Sequence, residues 1–366
     1  MSIVRRRLLP APAPLAVGVL ALGVALAGCS SQATPMSQST AAGPSITTGR
    51  QTASGTGSAS STVVPSMSST PAVAGAETPE KAASELARVV GAQAAVVAAP
   101  GADGRTARDA VFVDKALVAA NAQARLLSTL TAAQKADLPL SPADPVVLAV
   151  SQGPAYPRVI IAKASTAATG AAVILVLTTG DPTTGYRIAS MSRMLPGASI
   201  GQFDAVAVGS APVGDASGLS IAPDALLAAY AGALAFPAPA AAPQPFVDDA
   251  FRAALSQGAT SEAGAMGSAV TLKRVNTPVG VVAALRASSG KGAYVVGVLQ
   301  RDDTLTEKTT NALTPSPAFT ILSGEKVIDT KAVLRTYEFL VFHIPGSPGQ
   351  ATLVAAAEQL YAASGS

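Results

Sequence analysis

The chain has 366 residues, 49% of them hydrophobic and only 13% charged, enough for two domains or one large one with tails. Its formal charge of +3 is carried by Arg5, Arg6 and Arg7: the 25 basic residues less these three equal the 22 acidic ones. Nucleic-acid binding needs a basic face to neutralise phosphates, and no Lys/Arg cluster remains to build one. A single cysteine rules out an intrachain disulfide and a thiolate metal centre.

Residues 1–28 read as a secretory signal. Arg5–Arg7 form the positive region, and Leu15–Ala25 form an apolar run too short to stay as a membrane span. Leu26-Ala27-Gly28-Cys29 follows, and it resembles the lipobox of bacterial lipoproteins. The resemblance implies a lipid-bearing Cys29 at the mature N-terminus, and several acyl chains on one residue satisfy the need for more than one lipid for lasting attachment. The expected location is the extracytoplasmic face of the cell membrane, with the membrane as partner through Cys29.

From Ser30 to Glu77 the chain is mostly Ser, Thr, Ala, Gly and Pro, with no aromatic residue and with Arg50 and Glu77 its only charges. Such a stretch cannot bury enough apolar surface to offset its ordering entropy. It is expected to be a disordered tether spanning roughly 35–40 Å r.m.s..

Order is expected from Thr78-Pro79-Glu80, a helix start with threonine as N-cap and proline at the first position. Ala82, Leu86, Val89 and Val90 supply its apolar stripe. A second helix is expected over Asp114–Lys135, with Ala116, Leu117, Ala120, Leu127 and Leu130 inward. Strands are predicted at Pro145–Val150, Arg158–Ala164, Ala171–Thr178 and Tyr186–Leu195. The third is apolar throughout, so it should be central and covered on both faces. A short helix is expected at Pro223–Tyr230.

Phe236–Pro245, with Pro237, Pro239, Pro243 and Pro245, reads as a stiff linker. Beyond it a helix is expected at Phe246–Gln257. Strands should follow at Val270–Val275, Val279–Ala287, Ala293–Gln300, Arg335–Ile344 and Thr352–Tyr361, with a hairpin at Ser288–Gly292. The fold class is therefore α+β: two tandem units, each a helix or helices plus a curved antiparallel sheet, after the disordered tether. The expected boundaries are signal 1–28, Cys29 and tether 29–77, first unit 78–235, linker 236–245 and second unit 246–362.

Tyr156-Pro157-Arg158, Tyr186-Arg187-Ile188 and Met194-Leu195-Pro196-Gly197, together with Leu285–Ala293 and Tyr337–Phe342, resemble an actinobacterial lipoprotein family with an uncharacterised C-terminal domain. The resemblance covers roughly residues 78–362 and implies no activity. Its two halves resemble the cone-shaped sheet of nuclear-transport-factor-2-like domains, a likeness of fold alone.

Gly197-Ala198-Ser199-Ile200-Gly201 matches the nucleophile elbow G-x-S-x-G, and His343 follows downstream in hydrolase order. An elbow must open a helix, however, whereas Gln202–Val208 looks extended. Ser199 and His343 are also expected to lie far apart, in different units. Ser288-x-x-Lys291 and Ser323-x-x-Lys326 match a serine–lysine pattern but sit in glycine turns. Asp248-Asp249 and Asp302-Asp303 are adjacent pairs, whose side chains diverge instead of converging on a metal; they should solvate a helix start and a loop. No nucleotide-binding glycine loop occurs. The expectation is a non-enzymatic envelope lipoprotein, without cofactor or metal, that binds a partner protein or a small apolar ligand. The alternative is a serine hydrolase using Ser199.

Overall fold

The computed structural model describes residues 74–99, 104–216, 218–308 and 314–366. The signal, Cys29 and the tether up to residue 73 lie outside the described residues. Among these residues the fold is mixed α+β, with one eight-stranded antiparallel sheet and seven α-helices. The described residues belong to one compact unit.

The first helix, α1 (Pro79–Ala98), starts where its cap chemistry puts it: the Thr78 hydroxyl accepts the Lys81 N–H. Its buried residues Ala82, Leu86, Val89 and Val90 follow the predicted stripe. The expected Asp114–Lys135 helix is in fact broken. α2 (Gly104–Val111) precedes it, α3 (Asp114–Leu126) is its main body, and a 3-10 turn at Leu127–Thr129 leads to α4 (Ala132–Ala136). The break follows from Thr131, which forms a capping box with Gln134 and so begins a new helix.

β1 (Val146–Val150), β2 (Arg158–Ser165), β3 (Ala172–Thr179) and β4 (Arg187–Met194) match the predicted strands closely. β3 is covered on both faces, with Val173 to Leu177 all buried. Its odd residues Val173, Leu175 and Leu177 pack with α1 and α3. Its even residues Ile174 and Val176 join Met194, Ala283, Val296, Val341 and Ala355. Each such side chain contributes roughly 1.5–3 kcal/mol of burial.

The second half contains α5 (Pro223–Ala233), α6 (Ala250–Met266), β5 (Val270–Arg286), β6 (Ala293–Glu307), α7 (Pro317–Ser323), β7 (Lys331–Ile344) and β8 (Thr352–Gly365). Three expectations need correction. β5 is one strand, not two: bulges near Pro278 and between Val281 and Ala283 carry it through the expected break. As the last strand of the sheet, it tolerates a proline that offers no N–H to a ladder. α6 starts at Ala250 because Asp249, in extended conformation, accepts the Arg252 N–H at 2.8 Å. Phe246 stays outside that helix, buried edge-on against Tyr230. α5 falls within the expected first unit, but its Leu226, Leu227 and Tyr230 pack with Val295, Leu299 and Phe342 of the second.

The strand order is β1-β2-β3-β4-β8-β7-β6-β5. The two predicted meanders therefore meet edge to edge, through Arg193↔Ala356 and Met194↔Ala355, and form one sheet. α3 packs on both β4 and β8 beside this short seam, where Gln123 meets Gln359. The predicted linker is tied at both ends: Phe236 exchanges backbone hydrogen bonds with Arg274, and Val247 N–H donates to Ala351.

Candidate functional site

Tyr156-Pro157-Arg158 and Tyr186-Arg187-Ile188 come together at the end of the sheet beside α1. β2 begins at Arg158 and β4 at Arg187, on either side of β3 in the sheet. Arg158 pairs with Glu77 at 3.0 Å and lies over the Tyr156 ring. The Tyr186 hydroxyl donates to the same Glu77 carboxylate at 3.2 Å. Burial, then the neighbouring Glu77 charge, pushes the Tyr186 phenol up, so it stays a donor. Glu77 is therefore held in place, and Ala74, Gly75 and Ala76 make backbone hydrogen bonds to Gly153, Ala207 and Ser151, so residues 74–77, expected in the disordered stretch, are ordered.

Next to this cluster lies an open cleft of about 290 Å³, lined by Arg88, Asp109, Ala110, Thr184, Gly185, Tyr186 and Arg187. Arg88 reaches it from α1, fixed by Glu85 at 2.8 Å and by the Tyr186 carbonyl at 2.7 Å. The turn between β3 and β4 supplies Thr184 and Gly185. The Asp181 carboxylate holds this turn by accepting the N–H and hydroxyl groups of Thr183 and Thr184. Those bonds, the Thr183 hydroxyl foremost, keep Asp181 well below the usual carboxylate range. Such a caged turn is pre-organised. A second recess, lined by residues such as Val96, Phe112 and Leu127, offers only about 20 Å³, room for about one water.

The Ser199 turn and His343, expected in different units, share one neighbour, Tyr294. The end of β4 is carried by the β4–β8 seam towards β6 and β7. Gly201 N–H donates to the Tyr294 hydroxyl, and the Tyr294 ring lies 5.0 Å from the His343 ring. A shared neighbour does not build a catalytic pair, however. The chain after Ser199 runs through coil and a turn, not a helix, so the strained elbow is missing. It is not the predicted extended segment either. His343 Nε2 donates to the Lys291 carbonyl at 3.0 Å, which occupies that nitrogen. Of the serine–lysine matches, Ser323 ends α7 and is followed by left-handed Gly324, while Ser288 opens a 3-10 turn.

The Asp302-Asp303 expectation is also corrected, because β6 runs on past Gln300 to Glu307. Asp303 is buried and bridges Arg274 at 2.6 Å and Arg301 at 3.0 Å. Arg301 also binds Glu338 at 3.0 Å and pairs with Glu358. This places three carboxylates against two guanidiniums across β5, β6, β7 and β8. Burial would lower Arg301, but Glu358, Glu338 and Asp303 outweigh it and raise the group. Glu338 is fully buried; burial and Glu358, against the pull of Arg301, push it up to about 7. Its Oε2 has no hydrogen-bond partner. The other acid pair matches its expected role: Asp249 caps α6 and accepts from the Tyr230 hydroxyl at 3.0 Å.

Sequence reasoning missed both charged clusters. The available signal was period-two charge, Arg301 and Asp303 facing Arg274, but its meaning depends on strand register. Among the described residues, no group of three or more His, Cys, Asp or Glu could hold a metal ion. No described helix is long and apolar enough to cross a membrane. Comparison with protein-family models, with curated proteins and with solved structures finds no match.

Proposed function

We propose that this chain is a membrane-anchored lipoprotein of the cell envelope, held by acyl chains on Cys29, whose body binds and does not catalyse. The observation that carries the reading is Leu26-Ala27-Gly28-Cys29 after a short apolar run, with the only cysteine of the chain at that spot. Its partner would be an envelope protein or a small ligand, and the family-like motifs around the arginine cleft make that face the favoured one. The coil after Ser199 and the engaged His343 nitrogen support binding over hydrolysis. We also infer two tandem units, because β1–β4 and β5–β8 are each a four-strand meander with helices before it.

The test is cell fractionation. Wild-type protein should appear in the membrane pellet, and Cys29→Ser should move to the soluble fraction or remain unprocessed. Normal processing and membrane retention of Cys29→Ser would overturn the anchor.

A further inference from the structure

The cleft beside α1 contains donors that the fold leaves unused. Arg88 spends Nε and Nη2 on Glu85, with Nη2 also on the Tyr186 carbonyl. Arg187 makes one long contact, from Nη1 to the Asp109 carbonyl at 3.4 Å. Its Nη2 makes no hydrogen bond to the protein, whereas its Nε, also without a partner, is shut off from solvent and so from the cleft. A guanidinium carries five donors and no acceptor, so the outer nitrogens of Arg187 keep donors that the protein does not use. An oxyanion supplies the missing acceptors, and arginine's planar fork suits it.

The surroundings favour a small occupant. The volume of about 290 Å³ fits a tetrahedral oxyanion with a modest substituent. Gly185 keeps the mouth open: a Cβ there would stand 3.1 Å from Arg88 Nη2. Thr184 adds a hydroxyl on a turn already fixed by Asp181. Asp109, exposed at the rim, disfavours a bare multiply charged anion and favours one whose substituent brings a donor.

We propose that this cleft binds a phosphate-type oxyanion, free or carried by a lipid head group, with Arg187 as its main ligand and Arg88 beside it. This rests on reading the body as a binding module. Titration calorimetry of the full-length chain in neutral detergent, at low salt, would use two probes: inorganic phosphate and a short-chain phosphatidylglycerol. Saturable binding of at least one is expected, weakened at least ten-fold by Arg187→Gln and unchanged by Arg335→Gln, which lies outside the cleft. Phosphate binding marks a free oxyanion, whereas binding of the phosphatidylglycerol alone marks a head group. Should Arg187→Gln fail to fold, Gly185→Leu, which fills the cleft, takes its place with the same expected loss. No saturable binding of either probe, or equal binding after the cleft substitution, overturns the site. Anchoring is read separately in the Cys29→Ser fractions, so an anchored chain that ignores both probes refutes only the oxyanion site.

Discussion

Replacing Glu338 with glutamine isolates the surplus charge of the buried cluster. Asp303, Glu338 and Glu358 face Arg274 and Arg301, so one carboxylate lacks a cation when all are ionised. Glu338 is fully buried, and its carboxyl is raised to about 7. A carboxyl raised in the folded state adds stability only while protonated, so its contribution is complete below the unfolded value near 4.5 and is lost as pH rises towards 7. Shifting a carboxyl from 4.5 to about 7 corresponds to about 3 kcal/mol lost between those limits. Glutamine keeps an oxygen for Arg301 and never ionises. In urea unfolding at pH 5 and pH 7.5, Glu338→Gln should show a fall with pH smaller than wild type by about 2–3 kcal/mol. It should also be the more stable protein at pH 7.5. Equal pH slopes would refute the reasoning. So would a loss of several kcal/mol at pH 7.5, the signature of a carboxylate that Arg301 cannot do without.

Gly297→Ala should cost about 1–3 kcal/mol by overpacking, since its Cβ would stand 2.5 Å from the Leu227 methyls beneath α5. Denaturant unfolding should show Leu227→Ala relieving part of that cost; strict additivity of the two losses would contradict the contact. Asp137 has the opposite pH sign to Glu338. Burial pulls it up, but Thr166, Thr169 and Arg193 outweigh that and hold it low, so its stabilisation is present above the usual carboxylate value and disappears as acid protonates it. Asp137→Asn should cost roughly 1–2 kcal/mol at pH 7 and little at pH 2.5, as read from thermal unfolding at the two pH values.

Local chemistry determined a large share of the fold from the sequence alone. Thr78-Pro79 starts α1, alternating and apolar runs mark β1 to β4, and Pro223 opens α5, because caps, proline and side-chain period act within a few residues. The lipobox reading likewise rests on contiguous residues. Tertiary structure decided where those elements meet. The β4–β8 seam unites the two meanders in one sheet, brings the Ser199 turn beside Tyr294, the neighbour of His343, and gives α5 to the second half. Register decided the buried charges: Arg274, Arg301, Asp303, Glu338 and Glu358 share one site only because their four strands align with those side chains on one face, and a one-residue slip would send them to the other. The arginine cleft has the same origin. Arg88 and Arg187 are nearly a hundred residues apart, and it is the packing of α1 against the sheet that sets them around a single space.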